Sequence, residues 1–203
     1  ENVEFSDSLK MLAEKASVTL DSYNPEKEKK NKDLKGKLKE ALKVSSDMYA
    51  KNLHLDDKDS VKVLNYVLGR GVSLDTVKKF KIGFAKDGYT ILYDKLVKEM
   101  KMDVSAVFDA GLLVSKDIDQ NKYRDKFYLR LMFPFFDNKG DVVAFSSRAL
   151  KGGQMPKYLN SPDTPLFNKS QIMYGFYQAK DTMRKTKEVV VVESESISKS
   201  NNK

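Results

Sequence analysis

Residues 123–169 read YRDKFYLRLMFPFFDNKGDVVAFSSRALKGGQMPKYLNSPDTPLFNK, and this stretch decides the fold. Leu129, Leu131 and Phe133 alternate with Arg130, Met132 and Pro134 before Phe135 and Phe136, the pattern of a strand with one face turned inward. Asp137-Asn138-Lys139-Gly140 supplies a turn, because Asn and Gly accept positive φ at little cost. Val142 to Phe145 then resume the apolar run, so a hairpin is expected. From Ser146 onward the pattern predicts a long polar loop, with Arg148, Gly152-Gly153, Lys157, Tyr158, Asn160 and Lys169 in it and Pro156, Pro162 and Pro165 stiffening its backbone. Cations, an aromatic ring and amide or hydroxyl donors in one loop suit an anionic ligand.

Upstream of this stretch the periodicity is helical. Phe5, Leu9, Leu12, Ala13 and Ala16 recur at three and four; Asp21 to Asp33 is polar, lysine-rich and read as a mobile linker. Leu34, Leu38, Ala41, Leu42, Met48, Tyr49 and Leu53 form one stripe of a longer helix, a core-packing pattern. Asp56 or Asp57 can cap the next helix, with Val61, Leu64, Val67 and Leu68 inward and Gly69-Arg70-Gly71 ending it. Ser73 caps a short helix through Phe80, Ile82 and Phe84 make a brief strand, and Tyr89 to Met100 and Val104 to Ala110 are helical. Val114 to Asn121 reads as an exposed turn. Beyond the organising stretch, Ile172 to Met183 has a helical pattern with Tyr174, Phe176, Tyr177 and Ala179 inward. Val189 to Val192 suit a strand covered on both faces, and Ser194 to Lys203 carry too little apolar surface to order.

The composition bounds what such a chain can do. It has 203 residues, enough for one or two small domains, 40% hydrophobic and 33% charged. Lys plus Arg number 37 against 29 acidic residues, a net charge of +8, which favours a polyanionic partner. There is no cysteine and a single histidine, His54, so neither a disulfide framework nor a zinc ribbon can be built from these residues. A reducing compartment and a satisfied structural role for His54 are expected, and no apolar run approaches the length of a membrane span.

Tyr123 to Phe136, Phe145 to Arg148 and above all Pro156 to Lys169 resemble the signature run of bacterial replicative primases of the DnaG type, and the likeness extends from Leu68 to Val192. The resemblance implies the amino-terminal part of a primase RNA-polymerase core. Its expected fold class is α+β: helices packed on a small, mainly antiparallel sheet, with the first strand of a Toprim-like α/β subdomain at the C-terminus. The corresponding domains are 1–33, an N-terminal helix and linker; 34–185, the core subdomain; 186–193, the Toprim-like strand; and 194–203, a disordered tail.

By the same resemblance Arg70, Arg148, Lys157 and Lys169 would clamp template and nucleotide phosphates, with Tyr158 and Asn160 as positioning groups. Lys157, Lys169 and Glu193 would be catalytic, and Glu193 would also be a metal-site residue. The implied reaction is attack of a primer 3′-hydroxyl on the α-phosphate of a nucleoside triphosphate, with Mg²⁺ or Mn²⁺ neutralising charge. Single-stranded DNA template, nucleoside triphosphates and an RNA primer are the implied partners. A replicative helicase would be met through a region expected to lie outside this stretch, and the expected compartment is the bacterial cytoplasm and nucleoid or an organellar matrix. Val191-Val192-Glu193 matches the strand that opens the metal fold, but Ser194, Glu195 and Ser196 replace the glycine and aspartate that follow it in the family. An incomplete metal site, and a chain inactive alone, are therefore expected, with Glu195 wrongly spaced to substitute. On the residues alone other readings stay open: Tyr158 as half-buried packing, Arg70 as a cation at a helix C-terminus, and the whole as a non-catalytic single-stranded nucleic-acid-binding module or a structural domain.

Overall fold

The computed structural model describes residues 5–16, 25–117 and 122–191. Two compact units divide the chain, Glu1–Leu34 and Lys35–Lys203. In the first, α1 (Phe5–Lys15) is the short amphipathic helix its periodicity predicts. Helix α2 runs unbroken from Pro25 to Leu53, so residues 25–33 are helical and not the linker expected there. Lysine and glutamate propagate a helix well even without an apolar stripe, and a polarity-based reading overlooked this. Asp21 to Asn24 lie outside the described residues.

The second unit is built on a sheet of four strands in the order β1 (Gly83–Ala85), β4 (Arg130–Phe136), β5 (Val142–Ala149), β6 (Tyr158–Asn160), all antiparallel. The predicted hairpin is β4–β5. Two segments read as loop are strands: Ser146-Ser147-Arg148 extend β5, and Tyr158-Leu159-Asn160 form β6. Ser147 is buried here with its hydroxyl donating to the Leu159 carbonyl, and Arg148, Tyr158 and Asn160 are half-buried. Of the expected turn over Val114 to Asn121, Val114 to Asp117 belong to a strand, β2 (Leu113–Asp117), which pairs with β3 (Lys122–Asp125); residues 118–121 lie outside the described set.

Register assigns the faces, since directly paired residues share one face. Phe84, Leu131, Arg148 and Tyr158 pair in succession and form one row across the sheet. On that face Phe84 and Leu131 join Val63 and Val67 of α3 (Lys58–Gly69) and Val77 of α4 (Leu74–Lys79) in a buried core. Asp57 caps α3 through the Ser60 N–H, and Gly71, at φ +83°, turns the chain after it. Val63 and Ser60 face inward instead of Val61, which is 40% exposed. The opposite face meets α2: Tyr49 packs edge-on against Phe145, 5.5 Å between centroids. Here β1 comes so close that a Cβ on Gly83 would lie 2.6 Å from the Tyr49 backbone, so glycine is required.

Asp125 is 3% exposed and accepts from the Leu92 and Tyr93 N–H groups, tying β3 to the start of α5 (Ile91–Tyr93), which continues as a π-helical turn over Asp94–Glu99. Burial pushes the Asp125 carboxyl above its ordinary range. The short helix α6 (Val104–Asp109) leads into β2. Helix α7 (Phe176–Thr186) begins later than the periodicity predicts, after the left-handed Gly175, and Phe176 is 38% exposed, not inward.

Val189 to Val191 form no strand and are 54%, 88% and 65% exposed. An apolar run becomes a buried parallel strand only beside partner strands, and none pairs with it among the described residues. Val192, Glu193, Glu195 and the tail from Ser194 to Lys203 lie outside the described residues.

Candidate nucleic-acid interface

The row Phe84, Leu131, Arg148, Tyr158 passes from core to site as it crosses the sheet. Its apolar half lies under α3, and its polar half continues past the helix, so the side of α3 and the β5–β6 loop become the walls of a cleft of about 600 Å³. Asp59, Lys62 and Tyr66 line it from α3; Arg148, Gly152, Gly153 and Lys157 line it from the sheet edge and loop; Phe84 and Leu129 form the floor.

Tyr158 is half-buried and flanked by two cations. The Arg148 Nη1 donates to its hydroxyl at 3.1 Å, with the guanidinium carbon 5.6 Å from the ring centroid, and Lys157 Nζ lies 5.7 Å from the same centroid. Contacts of this kind hold a cation with its charge still available to an anion, because the ring donates no full negative charge. Arg70 is arranged alike: it is the C-cap of α3, and its guanidinium sits 5.7 Å from the centroid of Tyr66, which lines the cleft. The structure thus shows Arg70 at the helix end, with its guanidinium held beside a ring that lines the cleft.

Asn160 pairs with Ser146 one strand row on, on the same face as Tyr158. Lys169 is not part of this cleft. Its N–H donates to Asp163, which lines a second cleft of about 680 Å³ between the β2–β3 hairpin and the Pro162–Pro165 turn. In that cleft Lys126 is half-buried, and desolvation pushes its ammonium down. Arg148, Tyr158 and Asn160 thus share one sheet face, Lys157 lines the cleft beside them, Arg70 stands at the end of α3 against Tyr66, and Lys169 lines neither cleft, its backbone tied to Asp163.

No ion pair joins Arg70, Arg148, Lys157 or Lys169 to a carboxylate among the described residues. Elsewhere lysines are paired: Lys39 with Asp141 at 2.6 Å and Asp137 at 3.3 Å, Lys81 with Asp47, and Lys86 with Asp57 at 2.7 Å. No group of three or more His, Asp or Glu side chains able to hold a metal ion occurs among the described residues. Glu193 lies outside them.

Two site features were missed in the sequence. Tyr66 left a usable signal, an aromatic four residues before Arg70 on one helix face. Arg130 left none: alternation reads it as outward, yet it is 2% exposed and its Nη2 donates to the Pro156 carbonyl at 2.8 Å. Burial pulls its guanidinium below the ordinary value.

An antiparallel sheet with helices on both faces and a basic cleft beside one sheet edge defines the class, a subdomain of α+β type. A profile described as the DNA primase catalytic core, N-terminal domain, matches residues 48–180, and the chain belongs to that family. A DNA primase of Halalkalibacterium halodurans is 34% identical over 95% of the chain, which spans 31% of that protein. The DnaG primase catalytic domain bound to ssDNA aligns with a TM-score of 0.63 at 31% identity, covering 73% of this chain and 44% of that one. The RNA polymerase domain of Mycobacterium tuberculosis primase DnaG, in complex with a double-stranded DNA oligomer with a 6-nucleotide overhang, aligns at 0.67 and 28% identity, covering 74% and 46%. The chain therefore spans about a third of the length of the first of these, and less than half of each solved chain.

Proposed function

We propose that this chain is the template-handling part of a primase core: its cleft face binds single-stranded DNA, and nucleotides during RNA primer synthesis, chiefly through phosphates. The observation that carries the reading is the set of cations at and beside the cleft that aromatic rings hold and that no carboxylate among the described residues pairs, in a chain of net charge +8. A lysine already paired to a carboxylate must break that pair to meet a phosphate; Arg70, Arg148 and Lys157 need not. Tyr158 adds a ring beside the cation track, and sequence-tolerant stacking of a base on such a ring contributes about 1–3 kcal/mol. Asn160 supplies a neutral donor and acceptor next to it. Lys126 in the second cleft and Lys169 outside it would extend that contact.

The family chemistry needs a divalent cation to neutralise triphosphate charge and orient the attacking hydroxyl. The described residues supply cations and donors for substrate phosphates; they supply no carboxylate cluster. A polypeptide of these residues is accordingly proposed to bind template without making primers, with Glu193 entering the metal site only as one acid among several. The Toprim-like role of residues 186–193 rests on the Val191-Val192-Glu193 match alone.

The test is a titration of a labelled single-stranded oligonucleotide with the wild type and Lys157→Ala, beside a primer-synthesis assay with Mg²⁺ and Mn²⁺. The proposal expects binding that Lys157→Ala weakens by a similar factor on any base sequence, since a lysine on phosphate carries no base information, and no product. Absence of binding, or template-dependent product from these residues, would overturn it.

A further inference from the structure

We infer that Arg130 is a positioning residue that locks the loop before Lys157 and Tyr158 in the geometry that presents them. The inference rests on the proposed DNA-binding role of that face and goes beyond it to a buried residue outside the cleft lining. Arg130 lies in the row Ala85, Arg130, Ala149, opposite in face to Arg148 and Tyr158. Its neighbours across the strands are alanines, which leave space for a long side chain between them. Through that space the guanidinium reaches the carbonyl of Pro156, the residue immediately before Lys157.

The same loop is fastened at two more points to the short segment before Arg130, and a third bond ties its own two ends together. Gln154 Nε2 donates to the Tyr128 carbonyl at 3.0 Å, the Leu150 N–H to the Leu129 carbonyl at 3.3 Å, and the Ala149 N–H to the Lys157 carbonyl at 2.8 Å. Leu129 itself has φ +49°, a conformation leucine rarely adopts, and its N–H is held by the Lys86 carbonyl. A strained residue persists only where its surroundings overdetermine it, and here they are the Lys86 carbonyl on one side and the loop that carries Lys157 on the other.

Arg130 is the strongest of these fasteners and the least replaceable. Its Nε and Nη1 meet no acceptor among the described residues, so the Pro156 carbonyl is the one partner there of a fully buried charge. A charged donor with a single acceptor in a desolvated setting makes a bond worth more than an exposed one. The charge is too deep to touch a phosphate, so its influence on DNA must pass through the loop.

Trypsin reads the lock directly, because Lys151 and Lys157 lie at the two ends of the loop and Lys139, in the β4–β5 turn, serves as an internal control. Arg130→Met keeps the volume and removes the buried charge, a replacement that folded proteins often tolerate. We expect cleavage after Lys151 and Lys157 to quicken by about tenfold relative to cleavage after Lys139, with Arg130→Lys, which keeps one donor, recovering part of the protection. Affinity for single-stranded DNA should fall by about three- to tenfold in Arg130→Met, and by less than about twofold when the same change is made in a Lys157→Ala, Tyr158→Ala background. Unchanged relative cleavage overturns the lock whether or not DNA binds. Equal affinity losses in the two backgrounds overturn action through Lys157 and Tyr158. If the wild type binds no DNA, the reading of the face fails while the cleavage ratio still decides the lock. If Arg130→Met does not fold, Arg130→Lys carries the cleavage comparison: protection equal to wild type then overturns the lock.

Discussion

The cleft edge of the sheet and the α2 corner opposite are both rich in lysine, yet their cations are held differently. At the corner, Lys39 bridges Asp137 and Asp141 across the tip of the β4–β5 hairpin, and these carboxylates keep its ammonium above the ordinary value. At the cleft, Arg148 and Lys157 are held against the Tyr158 ring, and Arg70 against Tyr66. A carboxylate consumes a cation's charge; a ring orients it and leaves it available. The difference teaches that net charge is a poor guide to a nucleic-acid face, whereas the identity of each cation's partner is a good one.

The sharpest way to break this comparison is Tyr158→Ala. If the ring both orients the cations and stacks on a base, affinity for single-stranded DNA should fall by about 1–3 kcal/mol with the fold intact, as read by titration alongside thermal unfolding. Unfolding would instead make the ring core, the outcome its half-buried position also permits. At the corner the opposite is expected. Lys39→Ala should cost up to about 1 kcal/mol of stability, the scale of a partly exposed ion pair, and leave DNA affinity unchanged. A loss of affinity there would erase the distinction between the two regions.

A smaller effect tests the paired class by pH. The Lys86 ammonium beside Asp57, helped by the Ser60 N–H and hydroxyl, holds the Asp57 carboxyl at about 2 against an ordinary 3.8. A depressed folded value contributes stability that is fully present above the ordinary value and is lost as pH falls through the folded one. The stability difference between wild type and Asp57→Asn should therefore shrink between roughly pH 4 and 2 and be flat above it, as followed by urea unfolding across that range. A difference that does not change with pH would mean that Asp57 acts only as a neutral cap.

Much of this was legible before any coordinates. Capping residues Asp57 and Ser73 and the β4–β5 turn at Asp137 to Gly140 are local signals, and the structure keeps them. The cations and ring around Lys157 are close in sequence, and the sheet edge keeps Arg148, Lys157 and Tyr158 together. What escaped depends on what lies across the chain. Ser146 to Arg148 and Tyr158 to Asn160 are polar, so only their mutual pairing reveals them as strands. Arg130 is buried because alanines face it from both neighbouring strands, a fact of register and not of sequence order. Lys169 follows Lys157 closely in sequence, but past the Pro162–Pro165 turn its backbone is tied to Asp163 and it does not line the cleft with Lys157. Four valines in a row carry strand propensity, and propensity cannot supply the neighbours a buried strand requires.

The most direct test of the central claim is the salt dependence of single-stranded DNA binding, measured for wild type, Lys157→Ala and Lys39→Ala. With Arg70, Arg148, Lys157 and Lys169 on phosphates, log affinity against log salt should have a slope of about −3, falling to about −2 in Lys157→Ala and staying at about −3 in Lys39→Ala. A slope that Lys157→Ala leaves as it was, or that Lys39→Ala lowers equally, would contradict the assignment of the unpaired cations to the nucleic-acid face.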